Sequence, residues 1–155
     1  MGARMRSPIT ILNAVLLVLA AAGVPLPGAE TRLVVVVNPD SGVAQITLDE
    51  ARNLFLGRQK RLGSGLPAVP VEQAAPGDIR MRFYKVLAHK NLAEINAYWA
   101  RLYFTGQAHP PRQAASAEEV IRTVAADKGA IGLLEWTRPD HRVKVVLALD
   151  EPAGP

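Results

Sequence analysis

Leu33–Val37 (LVVVV) is an unbroken apolar run, β-branched at every position after the first, and it ends at once in Asn38, Pro39, Asp40, Ser41 and Gly42. A strand with one wet face would alternate apolar and polar residues, so this run reads as a strand covered on both faces and then a turn. Cover on both faces needs layers above and below a sheet. That is the habit of parallel α/β sheets, and a parallel arrangement is expected here. With 155 residues the chain has room for one such domain and not comfortably for two.

The rest of the chain alternates in the same style. Thr47 with Glu50 makes a capping box, and Leu48, Ala51, Leu54 and Phe55 follow at helical spacing until Gly57. Ala68–Gln73 carries alternating Val69 and Val71, but Pro67 and Pro70 confine it to an edge or a strand end. Asp78 is placed to cap a helix whose Ile79, Phe83, Val86 and Leu87 share a stripe up to His89 and Lys90. Asn91 with Glu94 opens another, with Leu92, Ile95, Tyr98, Trp99 and Leu102 on one face, running to about Tyr103 before Gly106. Ser116 with Glu119 forms a third box ahead of Val120, Ile121 and Val124, and Gly129 marks the stop. Ala130–Leu134 and Val143–Leu149 close the chain as strands. The order strand, helix, strand, three helices, two strands predicts one layered α/β domain.

At the front, Arg4 and Arg6 precede the apolar run Ala14–Val24, followed by Pro25, Pro27 and small residues. This is the layout of a secretory signal, and the run is short of the roughly 20 residues that a settled bilayer span needs. Residues 1–29 are therefore expected to be a signal peptide, residues 30–150 the exported domain and residues 151–155 a frayed tail. There is no Cys, which removes disulfides, thiolate metal sites and Cys nucleophiles. Eighteen Lys and Arg against fourteen Asp and Glu give +4, too mild a charge to indicate a nucleic-acid partner.

Little in the sequence points to catalysis. His89, His109 and His141 are far apart and form no HExxH, so neither a metal nor a cofactor is expected. Ser41, Ser64 and Ser116 read as turn or cap residues, outside any GxSxG, and no catalytic residue is named. Asp49, Glu50, Glu118 and Glu119 sit in first helical turns, where the helix dipole accounts for them. The loop from Gly57 to Gly65, with Arg58, Lys60 and Arg61, lacks the order of a phosphate loop and reads as a solvated basic connection. Phe83, Tyr84, Tyr98, Trp99, Tyr103 and Phe104 fall on or beside helical stripes, as core aromatics would.

Gln73–Arg80 (QAAPGDIR) has two readings. It lies where a strand ends and a helix begins, the place where open α/β sheets bind ligands and free N–H groups attract anions. On that reading Gln73, Gly77, Asp78 and Arg80 form a candidate anion site, with Gly77 giving backbone room and Arg80 a forked cation. On the other, Asp78 occupies the donors itself and the segment is a plain capped helix.

Taken in order, Val36-Val37-Asn38-Pro39, Leu54-Phe55-Leu56-Gly57, Val69-Pro70-Val71, Arg80–Leu87, Tyr98-Trp99 to Phe104-Thr105-Gly106 with Pro110-Pro111, and Gly129-Ala130-Ile131-Gly132 resemble the phosphate-binding type of ABC-transporter substrate-binding proteins. The resemblance implies one three-layer lobe of the type 2 periplasmic binding protein fold, a central mixed sheet flanked by helices. It implies a solute-binding protein of the periplasm, not an enzyme, with phosphate or a similar oxyanion as ligand and an ABC permease as partner. In the larger members this loop carries an Arg and then Ser-Gly-Thr; here those positions fall near Gln73, Gly77, Asp78 and Ile79, so the hydroxyls are missing and an acid has appeared. The competing expectation is an accessory module that has lost its ligand and docks to an envelope partner, or pairs as a homodimer across the face left by the absent lobe.

Overall fold

In the computed structural model, which describes residues 32–75 and 77–149, the apolar run is strand β1 (Arg32–Val37). It is followed by α1 (Leu48–Phe55), β2 (Val69–Gln73), α2 (Ile79–Ala88), α3 (Leu92–Phe104), β3 (Arg112–Ala114), α4 (Ala117–Ala126), β4 (Ala130–Trp136) and β5 (Lys144–Leu149). The expected signal peptide and tail lie outside the described residues. Among those described, no helix is long and apolar enough to cross a membrane.

The strands form one mixed sheet in the order β3-β2-β4-β1-β5. β1 is antiparallel to both neighbours, β4 and β5, so the parallel expectation drawn from it fails. The reason is that an unbroken apolar run reports cover on both faces and carries no information about strand direction. That cover is present. Leu33, Val35 and Val37 pack with Phe55, Phe83 and Leu87 under α1–α3, while Val34 and Val36 pack with Val120 and Val124 of α4 on the other face. The result is the expected three-layer α/β domain around a mixed sheet.

β2 is parallel to β4 and β3, and only its first two residues lie at an edge. The Val69 N–H donates to Gly129 on the β4 side, so the Pro70 nitrogen faces the opposite side, where β3 begins only opposite Val71. The missing Pro70 donor therefore costs no ladder bond, and Pro70 is tolerated in what becomes an interior strand. β3 itself escapes prediction because three residues are too few to show a period.

Both halves of the boxes at Thr47 and Asn91 are made. Ser116 accepts from the Glu119 N–H, but the Glu119 carboxylate turns to the Ala115 N–H, so the third box is half formed. The far end of α4 is satisfied from the sheet, where the buried Asn38 donates to the Val124 and Ala125 carbonyls at 3.1 and 2.9 Å. Arg142 ties the β4–β5 turn to the start of α4 by donating to both Glu118 oxygens and to Asp140. These Arg142 hydrogen bonds draw the Asp140 carboxyl down to about 2.

Gly132 explains how closely α4 approaches the sheet. A Cβ there would lie 2.6 Å from Val120 Cγ1, 2.8 Å from Val124 Cγ2 and 3.2 Å from Val36 Cγ2, all on stiff β-branched side chains. Gly132→Ala should therefore lower stability in urea unfolding by about 1–3 kcal/mol, the usual cost of overpacking. Gly63→Ala, where nothing lies within 4 Å, should stay within about 0.5 kcal/mol of the parent.

Candidate functional site

β2 runs parallel to its neighbours and delivers its C-terminal end to the start of α2, so Gln73, Gly77, Asp78 and Arg80 are brought to one end of the sheet. Gly77 makes the turn with φ 78°, in the left-handed region open to glycine. Asp78 does not cap the helix: its side chain makes no cap hydrogen bond. Thr47, Asn91 and Ser116 all cap from extended backbone, whereas Asp78 sits at φ −103°, ψ 18°, which turns its carboxylate away. It lies instead 3.6 Å from Arg82 Nη1, and Arg82 also donates to Glu135 at the end of β4 at 2.8 Å.

Gln73 is buried and used at both ends of its amide. Its Oε1 accepts from the Glu135 N–H at 3.0 Å, which extends the β2–β4 pairing by a side chain, and its Nε2 donates to the Ala75 carbonyl at 2.8 Å. Arg80 is turned inward. Its Nε donates to Glu72 Oε1 at 2.5 Å, its Nη1 donates to Asn96 Oδ1 at 3.2 Å, and the guanidinium lies 5.5 Å from the centroid of the Tyr84 ring. Among its nitrogens, Nη2 is not engaged in these two bonds.

Glu72 is the residue that sequence reasoning missed. Its side chain has no exposure, and its second oxygen accepts from the Tyr84 hydroxyl at 2.8 Å. Burial pushes the Glu72 carboxyl above its ordinary value, against the opposing hydrogen bond and charge of Arg80 and the hydrogen bond from Tyr84. Burial likewise raises Tyr84, helped by the adjacent carboxylate. The sequence shows the spacing of this cluster but not its burial. Glu72 stands between Val71 and Gln73 on the strand face opposite Val71, and Arg80 and Tyr84 are four apart on one helical stripe.

α3 is fixed beside this cluster. The Tyr98 hydroxyl donates to the Leu56 carbonyl at 2.6 Å, and Trp99 packs its indole edge so near Gly57 that a Cβ there would lie 3.0 Å away. Among the described residues no group of three or more His, Cys, Asp or Glu is placed to hold a metal ion. Of the histidines, His89 takes the left-handed cap position of α2 and His109 stacks edgewise on Tyr103.

This architecture is one lobe of the type 2 periplasmic binding protein fold. A solved structure from Clostridium perfringens, assigned as a phosphate ABC transporter substrate-binding protein and containing bound phosphate, matches with a TM-score of 0.59 at 15% identity. The match covers 75% of this chain and 44% of that one. An ABC-type phosphate transport receptor from Vibrio cholerae matches with a TM-score of 0.58 at 15% identity, over 75% of this chain and 45% of its own. The chain thus spans less than half the length of either. No family model matches the sequence, and no curated protein does.

Two variants separate burial from pairing at Glu72. Glu72→Ala should cost about 3–5 kcal/mol, because it strands the Arg80 charge in a mostly buried site. Glu72→Gln keeps hydrogen-bonding atoms and should cost much less. With the folded carboxyl raised, the folded chain binds the proton more tightly than the unfolded one. The stability that Glu72 contributes is then full below the unfolded value near pH 4.3 and is lost as pH rises through the folded value. Urea midpoints followed from about pH 4 to about pH 8 should fall relative to those of Glu72→Gln. A rise would mean that Arg80 outweighs burial.

Proposed function

We propose that this chain is an exported solute-binding lobe of the phosphate-binding type, which captures a small oxyanion reversibly at the N-terminus of α2. The observation that carries the reading is that α2 starts without a side-chain cap at the C-terminal end of a parallel strand. Helix N–H groups left open at that place attract anions. The fold likeness to structures assigned to phosphate transport supports the ligand class. In this reading the backbone from Gly77 to Arg80 takes the anion, Arg80 Nη2 assists, and Gln73 holds the strand end in place. An ABC permease would be the partner, and the periplasm the compartment.

A second reading, an accessory module docking to an envelope protein, is favoured by Tyr103 and Phe104 at the end of α3, which are 57% and 85% exposed. Large aromatics exposed as a pair suit a contact surface better than a free one.

Titration calorimetry of the full chain with inorganic phosphate at low salt tests the first reading, with sulfate as the comparison ion. Saturable heat is expected. Asp78→Asn should tighten binding by about threefold to fivefold, because it removes an exposed negative charge from the helix start. The Glu72→Gln/Arg80→Ala double variant, which removes the cation without stranding the carboxylate, should weaken it. No saturable heat in any of these proteins would sink the phosphate reading and put the docking role first.

A further inference from the structure

The basic loop after Gly57 and the segment Gln107–Pro111 after α3 meet over the start of β2, and between them lies a partly open cavity of about 310 Å³. This is at the small end of the roughly 300–1,000 Å³ range of ligand pockets. Its walls are apolar, from Leu54, Ala68, Pro70 and Trp99, while Lys60 and His109 stand among its polar lining. Among the described residues no carboxylate lines it. The one-sided charge follows from the sequence: Ala51–Val71 and Ile95–Ala117 contain no Asp or Glu, yet hold Arg52, Arg58, Lys60, Arg61, Arg101 and Arg112. The basic loop is anchored beneath by the buried Leu62, and Trp99 packs closely against Gly57 and the Tyr98 ring.

We propose that this cavity is a second binding site, for a small organic anion with a flat apolar body, such as an aryl phosphate or aryl carboxylate. The ring lies against Trp99 and Pro70, and the anionic group meets Lys60, with His109 and the side-chain amides of Gln59 and Gln107 as further donors. An inorganic oxyanion would gain little here, since the apolar wall offers nothing to replace its water. An organic cation of the same shape would meet Lys60 unfavourably. Lysine is a point charge without the fixed fork of arginine, so the site selects a charge and a ring rather than one head group. It lies at the opposite end of β2 from Gly77 and does not depend on the phosphate reading.

Trp99 is itself the probe. The chain has two tryptophans, so Trp136→Phe leaves Trp99 as the sole emitter. In that background, phenyl phosphate added to the full chain should change the emission saturably, while inorganic phosphate and benzylamine at equal concentration should not. Lys60→Glu, at an exposed position, should weaken phenyl phosphate by about tenfold. Ala108→Phe, which fills the cavity, should abolish the response, with circular dichroism to show that the fold persists. Asp78→Asn should leave it unchanged. The proposal is overturned if nothing saturates up to about 10 mM, if benzylamine binds as well as phenyl phosphate, if Lys60→Glu has no effect, or if the response follows Asp78.

Discussion

A carboxylate sealed between a sheet and a helix needs its partners in place before the layers can close, and Glu72 imposes that condition here. Its two oxygens are taken by Arg80 and Tyr84, four residues apart on one face of α2, so the pair fixes the rotation of α2 about its own axis. With the rotation fixed, Ile79, Phe83 and Leu87 fall into the core and the start of α2 falls beside the end of β2. The same contacts decide the electrostatics of the mouth. Arg80, the cation that a sequence-level argument would aim at a ligand, already has a buried counter-charge. What this pairing leaves at the start of α2 is the helix backbone and the remaining edge of the guanidinium.

The layers were legible because cover and capping are written locally. Five apolar residues in a row require cover on both faces, and Thr47 with Glu50 and Asn91 with Glu94 mark helix starts to the residue. Gly57 marked a stop, and the structure adds that the indole of Trp99 would leave little room for a side chain there. Strand direction was not legible, since Leu33–Val37 would look the same in either orientation. β3 was too short to show a pattern. Asp78 has the right side chain for a cap, and the turn set by Gly77 gives it the wrong backbone angles.

The site was legible only as a place. Strand-to-helix junctions are where open sheets bind ligands, and Gln73–Arg80 could be named on that ground. What each side chain does there depends on a residue outside the named set. Glu72 carries no motif, and its importance lies in being buried, which a single sequence does not display. Gln73 illustrates the same point: its amide replaces a missing rung between β2 and β4, a role that depends on where β4 ends.

Magnitudes order the two acids at this junction. Asp78 is exposed and paired with Arg82, so water and salt screen it, and its charge at the helix start is worth about 0.3–1 kcal/mol. Glu72 is wholly buried, and breaking its pairing is worth about 3–5 kcal/mol. The organisation of α2 is therefore insensitive to what happens at Asp78, while the charge at the helix start can be changed almost freely.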